Sequence, residues 1–149
     1  MGAVIVESSV LAAADRDDAR AAVERLAAIG AVVLLSTAGD SEPMPAILDS
    51  VSNVQAVHWP GVASAGSHQP GRRPDESSAI GALERIKSRF GATWLIASEA
   101  SVPIARSIPG LRVVCVGPAP DGPEPIRPDH RTHSLLEAAR LIETYETFA

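Results

Sequence analysis

The sequence predicts an α/β protein built on a parallel sheet. Four short apolar runs, Val4-Ile5-Val6, Val32-Val33-Leu34-Leu35, Val54-Gln55-Ala56-Val57 and Trp94-Leu95-Ile96, are separated by segments whose apolar residues recur at helical spacing. Strands alternating with helices are the rhythm of a parallel sheet covered by helices. Each run also ends in polar residues: Glu7-Ser8-Ser9, Ser36-Thr37, His58 and Ala97-Ser98-Glu99. Parallel sheets keep their ligand sites outside the carboxyl ends of their strands, so these residues stand where chemistry is expected. No aspartate is among them.

Composition sets the bounds. The 149 residues suit one domain, with 46% hydrophobic and 21% charged residues, as in an ordinary globular protein. The net charge is −5 and the basic residues are scattered, so neither a nucleic-acid footprint nor an anionic-membrane footprint is expected. One cysteine, Cys115, excludes an internal disulfide and a cysteine-rich metal site. It lies in an apolar strand and reads as a buried thiol. No run approaches the ~20 apolar residues of a membrane helix, and the short apolar start follows no basic segment. The cytoplasm is the expected location. Twelve arginines against one lysine, Lys87, hint at a GC-rich bacterial genome.

The elements follow in order. After the first strand, Asp17 and Asp18 suit a helix N-terminus. Ala19, Val23, Leu26 and Ala27 give that helix its apolar face, and Gly30 its stop. The second strand runs into Gly39-Asp40 and a short helix at 44–51. The third strand opens at His58 into a loop rich in Gly, Ser and Pro, through about Pro74. Asp75 is placed to cap a helix with Ile80, Leu83, Ile86 and Phe90 inward and Gly91 at its end. The fourth strand covers 93–97. Ser101 can cap a short helix with Pro103 in its first turn, ended by Pro109-Gly110. The fifth strand is 112–116. A proline-rich loop follows, with five prolines between Gly117 and Pro128. Ser134 and Glu137 have capping-box spacing for the last helix, with Leu135, Ala138, Leu141, Ile142 and Tyr145 inward.

This order of elements resembles the haloacid dehalogenase (HAD) superfamily of phosphohydrolases. In that family the first strand ends in two aspartates separated by one residue, nucleophile and general acid/base; here the positions hold Glu7 and Ser9. Ser36 matches the family's phosphoryl-binding Ser or Thr after the second strand. Arg73-Pro74 matches its Lys-Pro, with arginine for lysine. The family's Gly-Asp after the fourth strand, with an acid four positions later, becomes Ala97-Ser98 and Val102. The stretch 102–114, with Gly110 in place, follows the family pattern, as do Asp129-His130 and 134–137. The resemblance covers nearly the whole chain. With right-handed crossovers it implies a three-layer α/β/α sandwich, a Rossmann-like single domain over 1–149. Five parallel strands are expected, the first one central and flanked by the second and fourth. The short spacing between Glu7 and Ser36, filled by one helix, implies no cap domain and an open sheet end.

The departures fall on the chemistry. Phosphoryl transfer needs an in-line nucleophile, a cation on the phosphate oxygens and a proton donor. Glu7 is one methylene too long, Ser9 is no acid at neutral pH, and Ser98 and Val102 remove the second magnesium anchor. Groups that act as a unit fail as a unit. The leading expectation is a HAD-like pseudoenzyme, a binding or self-associating module whose protein partner meets the open sheet end. Glu7 and Ser9 are then degenerate catalytic positions, and Glu7, Ser98 and Glu99 line a vacated metal position. Ser36, Thr37 and Arg73 remain as a weak cradle for a phosphate-bearing ligand, and no cofactor is needed. The alternatives are a divergent phosphatase or phosphotransferase using Glu7, for which magnesium is the expected cofactor, and a small-molecule sensor that keeps the phosphate cradle. Simpler roles stand beside these: Glu7 as a solvated strand-end carboxylate, Ser36 and Thr37 as turn caps, Arg72 and Arg73 as solvated charges. His58 and His68 read as strand-end or loop residues, and His130 and His133 lack the partners of a metal site. Trp59 is either a partner anchor or a cover for the sheet end under its own loop.

Overall fold

A computed structural model describes residues 2–36, 53–59, 76–117 and 126–148. The elements are β1 (Ala3–Glu7), α1 (Ser8–Ala13), α2 (Arg16–Ile29), β2 (Val32–Ser36), β3 (Val54–His58), α3 (Glu76–Phe90) and β4 (Ala92–Ala97). A 3-10 turn (Glu99–Ser101), α4 (Val102–Arg106), β5 (Arg112–Val116), β6 (His130–Thr132) and α5 (Leu135–Phe148) complete the chain. The short helix expected at 44–51 and the caps and loop residues Thr37, His68, Arg72, Arg73 and Asp75 lie outside the described residues.

All strand pairs are parallel, in the order β3-β2-β1-β4-β5-β6. β1 is inside the sheet, between β2 and β4, and every residue from Ala3 to Glu7 is buried. A strand covered on both faces has no solvent side, so its sequence is a continuous apolar run instead of an alternating one. Alternate residues still divide between two cores. Ile5, Leu35, Leu95 and Val113 meet α3 and α4 on one face. Val4, Val6, Leu34, Ile96 and Val114 meet α1, α2 and α5 on the other. The architecture is a Rossmann-like three-layer sandwich.

The sheet has six strands where five were expected. β6 is only three residues, His-Arg-Thr, with no apolar periodicity to announce it. What holds it is Asp129. Its backbone N–H donates to the Val113 carbonyl (2.9 Å), and its Oδ2 accepts the Val113 N–H (2.7 Å). Arg106 donates to Oδ1 (2.7 Å), so one aspartate ties α4, β5 and β6 together. The link from β1 to β2 also holds two helices instead of one, with α1 starting directly after Glu7.

Asp17 and Asp18 occupy the first turn of α2. Gly91 and Gly110 have φ of 64° and 78°, left-handed backbone that glycine adopts without a Cβ penalty. Ser134 Oγ accepts the Glu137 N–H (3.1 Å), while Glu137 Oε2 accepts the His133 N–H (3.2 Å), one residue before the usual reciprocal donor. On α5, Leu135, Ala138 and Ile142 are buried and Leu141 packs at the core edge, but Tyr145 is 41% exposed and Ala139 takes the inward place. Tyr145 instead stands edge-on to Trp94, with ring centroids 5.5 Å apart, and the Arg112 guanidinium lies over both rings.

Trp59 is 1% exposed, and its indole N–H donates to the Ala79 carbonyl on α3 (2.9 Å). It closes the core under α3 and is no partner anchor in this conformation. Trp59→Ala is therefore expected to destabilise the fold by about 3–5 kcal/mol, the usual cost of emptying a buried aromatic site, read from urea unfolding. A loss under about 1 kcal/mol would place Trp59 outside the core.

Candidate functional site

Strand register brings the expected positions to one edge. Glu7 ends β1 opposite Leu35 of β2, so Ser36 lies one step further along the neighbouring strand. Val6 pairs with Ile96 of β4, so Ser98 follows directly after the strand end on the other side. Glu7, Ser36 and Ser98 thus stand along the carboxyl edge of β2-β1-β4. Thr37 and Arg73, the other expected members of an anion cradle, lie outside the described residues. The Ser36 carbonyl accepts the Trp59 N–H (2.9 Å), which fixes the β2–β3 corner beside it.

Glu7 is not the solvated carboxylate that a strand end suggests. It is 4% exposed. The Ser98 N–H donates to its Oε1 (2.9 Å), and the Ser98 hydroxyl lies 3.4 Å from both carboxylate oxygens. The hydroxyls of Ser101 and Ser9 also donate to it. No arginine or lysine among the described residues pairs with it. Burial pushes the Glu7 carboxyl above its usual value; the backbone N–H of Ser98 and the three hydroxyls pull it back only in part.

Two of these partners escape a sequence reading. Ser101 holds the N-cap position of α4, as its sequence context indicates, but it makes no side-chain cap. Its hydroxyl serves Glu7 instead. Nothing local in the sequence links positions 7 and 101; only the β1–β4 pairing does. The run Ser98-Glu99-Ala100-Ser101 was the available sign, with its two hydroxyls three apart.

Glu99, expected with Glu7 and Ser98 at a vacated metal position, is engaged from β6. Its Oε2 accepts Arg131 Nη1 from β6 (2.7 Å) and lies 3.3 Å from Cys115 Sγ. The arginine holds the Glu99 carboxyl below its usual range. Cys115 is fully buried on β5, as its apolar surroundings suggested. Val102, where the family has an acid, is buried at 1% exposure in the core under α3 and α4. Among the described residues no three His, Cys, Asp or Glu side chains gather in a metal-binding group, His130 and His133 included. No helix among them is long and apolar enough to cross a membrane.

One pocket opens at this edge, on the α1, α2 and α5 side. Its volume is about 330 Å³. Ser9 and Ser98 line it, so the Glu7 network forms part of its wall; the α1–α2 joint and the start of α5 supply the rest.

Compared with known proteins, the chain matches no protein-family model, and none of the curated proteins matches its sequence. Resemblance to the HAD superfamily thus rests on the residues and spacings given above.

The Glu7 network has a stability consequence with a definite sign. A carboxyl whose folded-state value is raised above the unfolded 4.5 binds its proton more tightly when folded. Its contribution to stability is present below that value and is lost as pH rises through the folded value. Glu7→Gln keeps a carbonyl acceptor for Ser98 and removes the charge, so it should be at least as stable as wild type at pH 7. The two proteins should converge near pH 4. Glu7→Ala leaves the part-buried Ser98 N–H without its acceptor and should cost about 1–3 kcal/mol near pH 4, less as pH rises and the wild-type carboxyl loses its proton. Thermal melts of the three proteins between pH 4 and 8 read both effects; a Glu7→Gln protein less stable than wild type at pH 7 would mean the charge is compensated.

Proposed function

We propose that this chain is a HAD-like pseudoenzyme: a Rossmann-like scaffold that binds through the carboxyl end of its sheet and does not transfer phosphate. One observation carries the reading. The carboxylate at the nucleophile position is engaged by the neighbouring strand end, with Ser98 N–H at 2.9 Å and hydroxyls on the remaining lone pairs. A nucleophile or magnesium ligand needs an ionised, accessible oxygen at neutral pH. Burial works against ionisation here, and 4% exposure works against access. The other positions add to this. Ser9 is exposed but carries a hydroxyl in place of an acid, and Val102 is part of the hydrophobic core.

Under this reading Glu7 is a structural strut that replaced a catalytic aspartate, and no metal is required. The surface left open serves a protein partner or a second copy of the chain. Ser36, with Thr37 and Arg73, retains at most weak anion binding.

An assay with p-nitrophenyl phosphate and magnesium decides between this and the divergent-phosphatase alternative. Phosphate monoesters hydrolyse so slowly unaided that an active site must supply up to ~20 orders of magnitude, and an incomplete one is silent. Wild type and Glu7→Gln should give the same background rate with or without EDTA. Turnover that disappears in Glu7→Gln and in EDTA would establish the phosphatase and end the pseudoenzyme reading.

A further inference from the structure

The two edges of the sheet are protected unequally. β6, at one edge, is three residues long and carries Arg131 at its middle. A short, charged edge strand is a poor template for another strand. β3, at the other edge, is five residues long, Val54–His58. From 53 to 59 the sequence reads Asn-Val-Gln-Ala-Val-His-Trp, with no Asp, Glu, Lys, Arg or Pro. Gln55 and Ala56 are both exposed. Successive residues of a strand point to opposite faces, so the middle of β3 is open to solvent on both sides of the sheet. Val54 and Val57 pack at the margins of the two cores and hold the strand in place.

Register decides which backbone groups face outward. The Val32 N–H donates to the Asn53 carbonyl (3.0 Å) and the Trp59 N–H to the Ser36 carbonyl (2.9 Å). Val32 pairs with Val54 and Leu34 with Ala56, so the backbone groups of 53, 55, 57 and 59 are the ones that face β2. The N–H and C=O groups of Val54, Ala56 and His58 point away from it, and no strand among the described residues pairs with them. These three residues match themselves. An antiparallel copy placed with Ala56 opposite Ala56 sets Val54 against His58 in both directions, and every outward donor meets an acceptor. The side chain nearest the two-fold axis is then a methyl group. Each copy carries a net charge of −5, but the uncharged strand places no like charges opposite one another.

We propose that two copies of this chain join through β3, antiparallel and two-fold symmetric about Ala56, so that one sheet continues into the other. A two-fold interface needs a self-complementary patch, and this edge supplies one. A single strand pair buries less than the ~1,200 Å² at which standard interfaces begin, so the dimer is transient and depends on concentration. It uses the side of the sheet and not its carboxyl end, and it holds whether or not Glu7 is catalytic. The phosphatase assay and the association test can therefore fail separately.

The test is sedimentation velocity of the intact chain from about 10 µM to about 1 mM, with amide-resolved hydrogen exchange at both ends of that range. The weight-average mass should rise from one chain towards two. Exchange at Ala56 should slow at the higher concentration, while Gln55 and Val57, whose N–H groups face β2, should change less. Ala56→Lys puts like charges opposite one another at the axis. Ala56→Pro removes an outward N–H and leaves the bonds to β2 in place. Each should weaken association about tenfold or more. The inference is overturned by a chain that stays monomeric throughout, by equally tight association in Ala56→Lys, or by a dimer in which Ala56 exchange is unchanged. Should Ala56→Pro lose its fold, Ala56→Lys at an exposed position and the wild-type exchange still decide.

Discussion

A carboxylate enclosed by protein at the end of the inner strand is the constraint on which the rest of this structure turns. Little of Glu7 meets water, so the protein must supply most of its solvation. It does so with the N–H of Ser98 and the hydroxyls of Ser9, Ser98 and Ser101. These donors sit on two segments that are remote in sequence, and the parallel pairing of β1 with β4 is what brings them within reach. The bonds in turn hold the 3-10 turn after β4 against the end of β1. Removing the acid would leave the buried Ser101 hydroxyl and the part-buried Ser98 N–H without this acceptor, which is why a polar group in this position serves stability.

The same enclosure separates fold from function. A parallel sheet presents its carboxyl edge as a natural binding site, and many catalytic chemistries use that edge, but the fold by itself assigns none of them. Here the carboxylate points its lone pairs at protein donors, and the neighbouring acid, Glu99, is engaged by Arg131. Glu7 and Glu99, the acids at the ends of β1 and β4, are thus both held by hydrogen bonds. Beside this edge a pocket opens between the α1–α2 joint and the start of α5, where Asp15 and Asp18 stand at the N-terminus of α2.

Away from the edge, electrostatic ties do the work that apolar packing leaves undone. β6 is too short and too polar to hold its place by burial, and Asp129 anchors it through two bonds to Val113 and an ion pair with Arg106. On the opposite face, Trp94 donates its indole N–H to Glu146 (2.8 Å) and meets Tyr145 edge-on beneath Arg112, joining β4, β5 and α5. Tyr145 shows why helical periodicity overreached on α5. The spacing puts it on the apolar side, but the sheet ends there, and an amphipathic ring suits that margin better than the core.

The sequence by itself determined the class of fold, the order of five strands and most helix ends. These depend on contacts within a few residues: apolar runs, acids in first turns, glycines at φ that other residues avoid, and the Ser134–Glu137 spacing. Positions 7, 36 and 98 were legible as one edge because parallel strands end together. Tertiary structure alone decided what those residues do there. Whether Glu7 faces water or protein depends on the turn after β4, ninety residues away in the chain, and the diversion of Ser101 from helix cap to carboxylate partner depends on the same contact. β6 and the α1–α2 joint were hidden for a related reason. Three residues, or six, are too few to express a period, and their place is set by Asp129 and by the pocket wall they share with α5.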